Sequence, residues 1–479
     1  MVTEYRNYID GEFLANRSGA LIDVHNPATH ELLARVPDAP ADVVHQAVQA
    51  ARAAQPAWAK LPAIQRAQHL RAIAARVREH REPLAHTLTR EQGKVLSLAR
   101  VEVDFTADYL DYMAEWARRI EGEVLTSDRA GESIFLMRKP IGVAAGILPW
   151  NFPFFLIARK LAPALVTGNT IVIKPSELTP INAFEFAHLA AQTDLPPGVF
   201  NLVAGTGAGA GAQLSAHSDV GIVSFTGSVE TGSRIMAAAA KNLTRVNLEL
   251  GGKAPAIVLA DADLELAVQA IHGSRVINTG QVCNCAERVY VQRKVADEFI
   301  DKIASRMAAT SYGDPIAEPD VAMGPLVSQA GLDKVAGMVE RARAAGASIV
   351  QGGRRASREH GWHYEPTVVA GCTSDMEIMR KEIFGPVLPV QVIDDLDEAI
   401  ALANDSDYGL TSSIFTRDLN SAMRACRDLQ FGETYVNREH FEAMQGFHAG
   451  RRKSGIGGAD GKHGLYEFTE THVVYLQHG

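Results

Sequence analysis

VAAGIL (Val143 to Leu148), TIVI (Thr170 to Ile173), FNLV (Phe200 to Val203), GIVSF (Gly221 to Phe225) and VNLEL (Val246 to Leu250) are five short, nearly continuous apolar runs separated by helical patterns. A strand covered on one face alternates apolar and polar residues. Strands buried on both faces do not, and long helical crossovers between such strands mark a parallel sheet. The region is therefore predicted to be a doubly wound α/β sheet. A second alternation follows Leu250, with a helix near Asp263 to Asn278 and strands at Arg288 to Gln292, Val387 to Ile393 and Ser412 to Thr416, which predicts a second α/β domain. Upstream, Ala41 to Arg119 is helical in pattern, and Val101, Phe105, Tyr109, Tyr112 and Trp116 recur at helix-face spacing, as expected of core packing. Gly122 to Lys139 and Phe468 to Leu476 are strand-like but belong to neither alternation, so they are expected to pair as a separate small sheet.

Composition bounds the function. The 479 residues leave room for several domains, and 47% hydrophobic with 22% charged residues is the balance of a globular enzyme rather than a disordered chain. Asp and Glu (56) outnumber Lys and Arg (47), giving a net charge of −9 and no basic field to hold nucleic acid. Four cysteines are too few for a disulfide framework, which suits a reducing, cytoplasmic setting. Met1 to Phe13 has neither the apolar segment of a secretory signal nor the basic amphipathic character of a transit peptide. Apolar stretches such as Ile141 to Leu148 fall well short of the ~18 residues of a membrane span. With no repeat and no Pro-, Gly- or Ser-rich linker, the domains are expected to pack tightly.

Two glycine segments could hold phosphate. Gly205, Gly207, Gly209 and Gly211 follow a strand and precede a helix, and FTGSVETG (Phe225 to Gly232) repeats that context, placing N–H groups at a helix N-terminus. A plain strand-to-helix turn explains the first equally well, and a helix capped by Ser228 explains the second. Their occurrence in one five-strand unit favours nucleotide binding. IVIKPSE (Ile171 to Glu177) sets Lys174 and Glu177 just past a strand end, where open α/β sheets bind ligands. A carboxylate there would accept ribose hydroxyls and repel a 2′-phosphate, selecting NAD over NADP; a solvated ion pair is the alternative.

GQVCNCAE (Gly280 to Glu287) puts Cys283 in a polar loop where backbone donors could stabilise a thiolate, although most intracellular cysteines are small buried hydrophobes, as expected of Cys372 and Cys426. A C-x-C pair without further ligand-spaced Cys or His makes poor zinc chemistry, so no metal is predicted. LELGGKAP (Leu248 to Pro255) places Glu249 in an apolar strand before two glycines. Desolvation there would raise its pKa toward that of a general base, while a structural carboxylate capping loop N–H groups fits evenly well.

PWNFP (149–153), KPSE (174–177), FTGS (225–228), LELGGK (248–253), GQVC (280–283) and EIFGP (382–386) occur in the order and rough spacing of the NAD(P)-dependent aldehyde dehydrogenase superfamily, which the chain resembles over nearly its whole length. ILPWNFPFFLIARK (147–160), SRVINTGQVCNCAERVYVQ (274–292) and NREHFEAMQGFHAGRRKSGIGGADGKHGL (437–465) are similar to its branch that oxidises lactaldehyde and glycolaldehyde. The resemblance implies a Rossmann-type NAD-binding domain (1–121 and 140–248), an α/β catalytic domain (249–452) and a bridging oligomerisation sheet (122–139 and 463–479), assembled as a homo-oligomer, dimer or tetramer, with the tetramer favoured.

The same resemblance implies the roles. Cys283 is the nucleophile, Asn151 with the Cys283 N–H the oxyanion donor, Glu249 the base that activates the hydrolytic water, and Cys285 a bystander. An intact Glu249 argues against the family's acyl-transferring branch. NAD would meet Lys174, Ser176 and Glu177 at the adenosine ribose, Gly211 near the adenine, Gly227 and Ser228 at the pyrophosphate, and Glu382 and Phe384 at the nicotinamide ribose. Leu148 and Trp150 would line that cleft, and Lys334 would approach the adenine end. Arg159, Glu442 and His448 would surround a small hydroxyaldehyde, unless they merely brace the loop after Asn437. Many relatives carry a Glu where Ala459 stands beside Asp460, which puts a secondary proton-relay carboxylate in doubt. Other small aldehydes (aminoaldehydes, succinic semialdehyde, aliphatic aldehydes), a non-catalytic relative and a cysteine hydrolase are the competing readings.

Overall fold

The computed structural model describes residues 2–16 and 19–478; Met1 and Gly479, the outermost positions of the expected segments, lie outside it. The five apolar runs form the parallel centre of an eight-stranded sheet, in the spatial order Arg245–Glu249, Ile222–Thr226, Val143–Ile147, Thr170–Lys174, Phe200–Leu202. Antiparallel strands Gly455–Ile456 and Tyr8–Ile9 extend its two sides, and Glu12–Phe13 completes the latter. Val143–Ile147, Ile222–Thr226 and Thr170–Lys174 are buried at every position, which is why their sequences do not alternate.

Taken in chain order, these strands lie 3-2-1-4-5, so the winding reverses between Val143–Ile147 and Ile222–Thr226. Ligands of open α/β sheets bind outside the carboxyl ends of the strands at such a reversal. The loops leaving those two ends are Pro149–Trp150–Asn151 and Gly227–Ser228.

The second alternation is a seven-stranded sheet ordered Ser348–Gln351, Thr367–Ala370, Val387–Ile393, Arg288–Gln292, Pro255–Val258, Thr411–Phe415, Glu433–Val436, parallel except at its first strand. The expected helix before it spans Leu264–Val276. Glu132–Pro140 pairs antiparallel with Thr469–Gln477 along nine residues each, with Glu123–Thr126 beside it, so the separate small sheet forms as expected.

Helices Ala41–Lys60, Ala63–Glu79, Arg81–Gln92 and Leu96–Glu115 occupy the upstream helical stretch. The aromatic stripe corrects one expectation. Tyr109 is fully buried, but Val101 is half exposed and, with Phe105, walls the cavity described below. Among the described residues, no helix is long and apolar enough to cross a membrane.

Candidate active site

A cavity of about 260 Å3 lies at the winding reversal, walled by Trp150 and Asn151 on one side and Gly227 and Ser228 on another. Glu249, Cys283 and Glu382 also face it.

Cys283, half-buried, follows an unusual approach. Asn278, Thr279 and Gly280 are consecutive residues with positive φ (47°, 59° and 73°). Such backbone costs about 1–3 kcal/mol per non-glycine residue and persists only where its surroundings enforce it. At Gly280 a Cβ would sit 2.3 Å from the Gly385 carbonyl oxygen, so only glycine lets the two loops touch. Asn278 Nδ2 donates to the Asn151 carbonyl (3.0 Å), and Asn151 Nδ2 donates to the Gln281 carbonyl (3.0 Å), locking the two loops together. Cys285 is buried behind, its thiol giving a hydrogen bond to the Val282 carbonyl (2.9 Å); burial pushes its pKa up to about 12, leaving no thiolate at neutral pH. Glu287, four residues beyond Cys283, accepts from Lys253 (2.8 Å), Arg275 (2.8 Å) and the N–H groups of Ile383 (2.9 Å) and Phe384 (3.1 Å). Burial opposes its charge, but Lys253 and Arg275 prevail and hold its pKa near about 2. Glu287 thus ties the cysteine loop to EIFGP.

Glu249 ends its strand almost fully buried, yet its pKa is not raised. Burial pushes upward, but Lys160 Nζ at 3.2 Å, Arg159 at 3.8 Å and the charge of His448 outweigh it, leaving the carboxyl below its ordinary value. Desolvation alone was the wrong physical basis, because the helix Phe155–Thr167, buried at every position, presents two cations to the carboxylate. Thr226 Oγ1 donates as well (3.3 Å).

Arg159 is the hub of a polar wall. Its guanidinium grips Asp460 through Nε (3.0 Å) and Nη2, and Nη2 also reaches Glu442 (3.1 Å). Glu442 accepts from Asn284 Nδ2, the residue next to Cys283. Asp460 is thereby committed to Arg159, and the neighbouring position is the apolar Ala459, so neither supplies a free relay carboxylate. His448 does not line the cavity. It is buried behind it, with Nδ1 giving a hydrogen bond to Glu433 (2.6 Å). Burial disfavours its proton, but the Cys283 and Glu433 side chains and the charge of Glu442 raise its pKa well above the ordinary value.

A second polar group lies at the end of Thr170–Lys174. Lys174 Nζ pairs with Glu177 (3.0 Å), whose other oxygen accepts from Gly207 N–H (3.3 Å), joining KPSE to the glycine-rich turn Gly207–Gly211. Ser176 Oγ accepts from Leu178 N–H (3.3 Å), and the Gly211 carbonyl accepts from Ser215 (2.8 Å). Leu148 is buried off the cavity, its N–H bonded to the Lys174 carbonyl (3.0 Å). Ser228 caps helix Val229–Ala240 by accepting from Thr231 N–H (3.2 Å).

The aldehyde dehydrogenase family model matches residues 13–474. The chain belongs to the aldehyde dehydrogenase family. It is 58% identical to lactaldehyde dehydrogenase of Escherichia coli over 470 residues, 98% of each chain, and superposes on a solved structure of that protein with a TM-score of 0.99 over the whole of both chains. A 3,6-anhydro-alpha-L-galactose dehydrogenase of a Vibrio species is 42% identical over 98% of this chain and 99% of its own. A solved Staphylococcus aureus betaine aldehyde dehydrogenase in complex with NAD+ is 36% identical, with a TM-score of 0.97 over 99% of this chain and 95% of its own.

In this aldehyde dehydrogenase, Trp150 and Phe384 flank the cavity edge to face, 5.4 Å apart at 89°. Glu382 accepts from Gly252 N–H (2.9 Å), and burial followed by repulsion from Glu287 pushes its pKa up to about 7. Lys334 lines this same cavity and lowers the pKa of Glu382, so it stands with the EIFGP loop rather than with Lys174 and Glu177. The sequence reading missed Lys160, Asn284 and Glu433. Lys160 carried a signal, since two adjacent cations inside the apolar run FFLIARKLAPALV need buried partners.

Proposed function

We propose that this enzyme oxidises short hydroxyaldehydes, lactaldehyde to lactate and glycolaldehyde to glycolate, with NAD as the oxidant. The observation that carries the reading is the polar wall beside Cys283. Arg159 and Asn284 would donate to the product carboxylate and Glu442 would accept from the 2-hydroxyl, a bond that an aldehyde lacking the hydroxyl cannot make. The 58% identity to a lactaldehyde dehydrogenase supports it.

The residues present suit a dinucleotide: Glu177 and Lys174 for the adenosine ribose, the Ser228-capped helix for the pyrophosphate, and Glu382 in the aromatic-flanked cavity for the second ribose. Bound nicotinamide supplies the hydride acceptor. The Cys283 thiolate sulfur bonds to the carbonyl carbon as the π pair moves to oxygen, and the Asn151 amide and Cys283 N–H stabilise the oxyanion of the thiohemiacetal. Once that carbon is oxidised to the thioester, Glu249 takes a proton from water, the water oxygen adds, and the thiolate leaves with release of the acid. Hydrolysis makes the oxidation irreversible.

Residues 1–121 with 140–248 are assigned to cofactor binding, 249–452 to catalysis, and 122–139 with 463–479 to assembly. The assembly sheet exposes Val124, Met137, Tyr475 and Leu476, which suits burial in a homotetramer. Four free cysteines suit the cytoplasm. The test is NADH formation from lactaldehyde, glycolaldehyde, aminobutyraldehyde and succinic semialdehyde, beside Cys283→Ala. Fastest turnover of the last two by wild type would sink the hydroxyaldehyde reading, and turnover by Cys283→Ala would sink the nucleophile.

A further inference from the structure

Beneath the Asn151 loop lies an ion pair that no step above uses. Lys94 and Glu102, at the junction of helices Arg81–Gln92 and Leu96–Glu115, pair with no side-chain exposure at all. Lys94 Nζ donates to one Glu102 oxygen and, at 2.7 Å, to the Asn151 carbonyl. It also sits 4.0 Å from the centre of the Phe152 ring. The other Glu102 oxygen accepts from the N–H groups of Phe154 (2.9 Å) and Phe155 (3.1 Å), at the start of the helix that carries Arg159 and Lys160. The pair therefore grips Asn151, Phe152, Phe154 and Phe155, and Asn278 from the cysteine loop shares the Asn151 carbonyl.

Removing two charges from water is costly, and apolar residues of equal volume often serve stability as well. What such residues could not supply is a fixed carbonyl position and two fixed N–H groups. An oxyanion donor works only when held in place before charge develops, and a displacement near 1 Å is enough to cost ~10²-fold in rate.

We propose that Lys94 and Glu102 are positioning residues for the oxyanion hole, acting through the backbone of Asn151 to Phe155 to aim the Asn151 amide. The proposal rests on the reading of Asn151 as the oxyanion donor. The test is a double-mutant cycle in the full-length enzyme with Lys94→Met, Asn151→Ala and the double variant. It reads single-turnover NADH appearance with the panel aldehyde that wild type oxidises fastest, beside NAD affinity by fluorescence quenching. Lys94→Met is expected to slow hydride transfer about 10- to 100-fold, with NAD affinity unchanged and no more than about twofold further loss when it is added to Asn151→Ala. Losses that multiply in the double variant would overturn the proposal, because they would mean the pair acts on the fold at large. An unimpaired Asn151→Ala would overturn the oxyanion reading first, and the proposal with it. Should Lys94→Met fail to fold, Glu102→Gln replaces it in the same cycle with the same expected outcomes, since it keeps the side chain's shape and one carbonyl acceptor.

Discussion

Lys160 Nζ lies 3.2 Å from a carboxylate oxygen of Glu249, both side chains almost wholly removed from solvent. The proximity decides the ionisation of Glu249, the proposed base. Burial alone would raise the pKa of Glu249, and Lys160 with Arg159 outweighs it and brings the pKa below its ordinary value. The carboxylate is ionised, and ready to accept a proton, across the working pH range.

Lys160→Met should therefore shift the ionisation of Glu249 upward. Wild-type deacylation is expected to be independent of pH between about 6 and 8, because a lowered pKa puts the acid limb below that window. In the variant the limb should move into the window, with a rate that falls as pH drops. A pre-steady-state burst of NADH followed by a slow, pH-dependent steady state would display it.

Glu382 gives the opposite case. Its pKa of about 7 means the charged form, the better acceptor for ribose hydroxyls, fills only as pH rises through neutrality. NAD binding is expected to tighten from pH 6 to pH 8 in wild type and to stay flat in Glu382→Gln, as titrated by fluorescence.

Glu177 is expected to select the cofactor. Its carboxylate is held by Lys174 and Gly207 N–H, and at the adenosine ribose, as proposed above, it would meet a 2′-phosphate with like charge. Glu177→Gln should improve kcat/KM with NADP about tenfold or more relative to NAD, a difference of roughly 1.4 kcal/mol.

His448 and Glu433 make a prediction about stability. The folded-state pKa of His448 is raised, so its contribution is fully present below the unfolded value near 6.5 and is lost as pH rises through the folded value. Glu433→Gln strands the buried imidazolium and should cost about 3–5 kcal/mol at pH 6. The deficit should shrink as pH is raised toward 10, which urea unfolding at several pH values would measure.

Much of this was legible in the sequence because burial on both faces leaves a direct trace. The runs from Val143 to Leu250 gave up their sheet through missing alternation, and Cys283, Glu249 and Asn151 stood in motifs that face one cavity. Partners far apart in the chain left no such trace. Arg159 and Asp460 are 301 residues apart, and only the fold pairs them. Helix-face periodicity showed that Val101, Phe105 and Tyr109 share a side, but periodicity cannot distinguish a core from a cavity wall. The same limit hid the two cations that lower the pKa of Glu249, since a strand pattern reports burial and not the charges packed against it.

The comparison of lactaldehyde with propanal, which differ only in the 2-hydroxyl, tests the central claim most directly. With saturating NAD, kcat/KM for lactaldehyde should exceed that for propanal by about 10²-fold or more, and Glu442→Ala should erase most of the difference. Equal or greater kcat/KM for propanal in the wild-type enzyme would contradict the account, because the polar wall beside Cys283 would then have no hydroxyl to recognise.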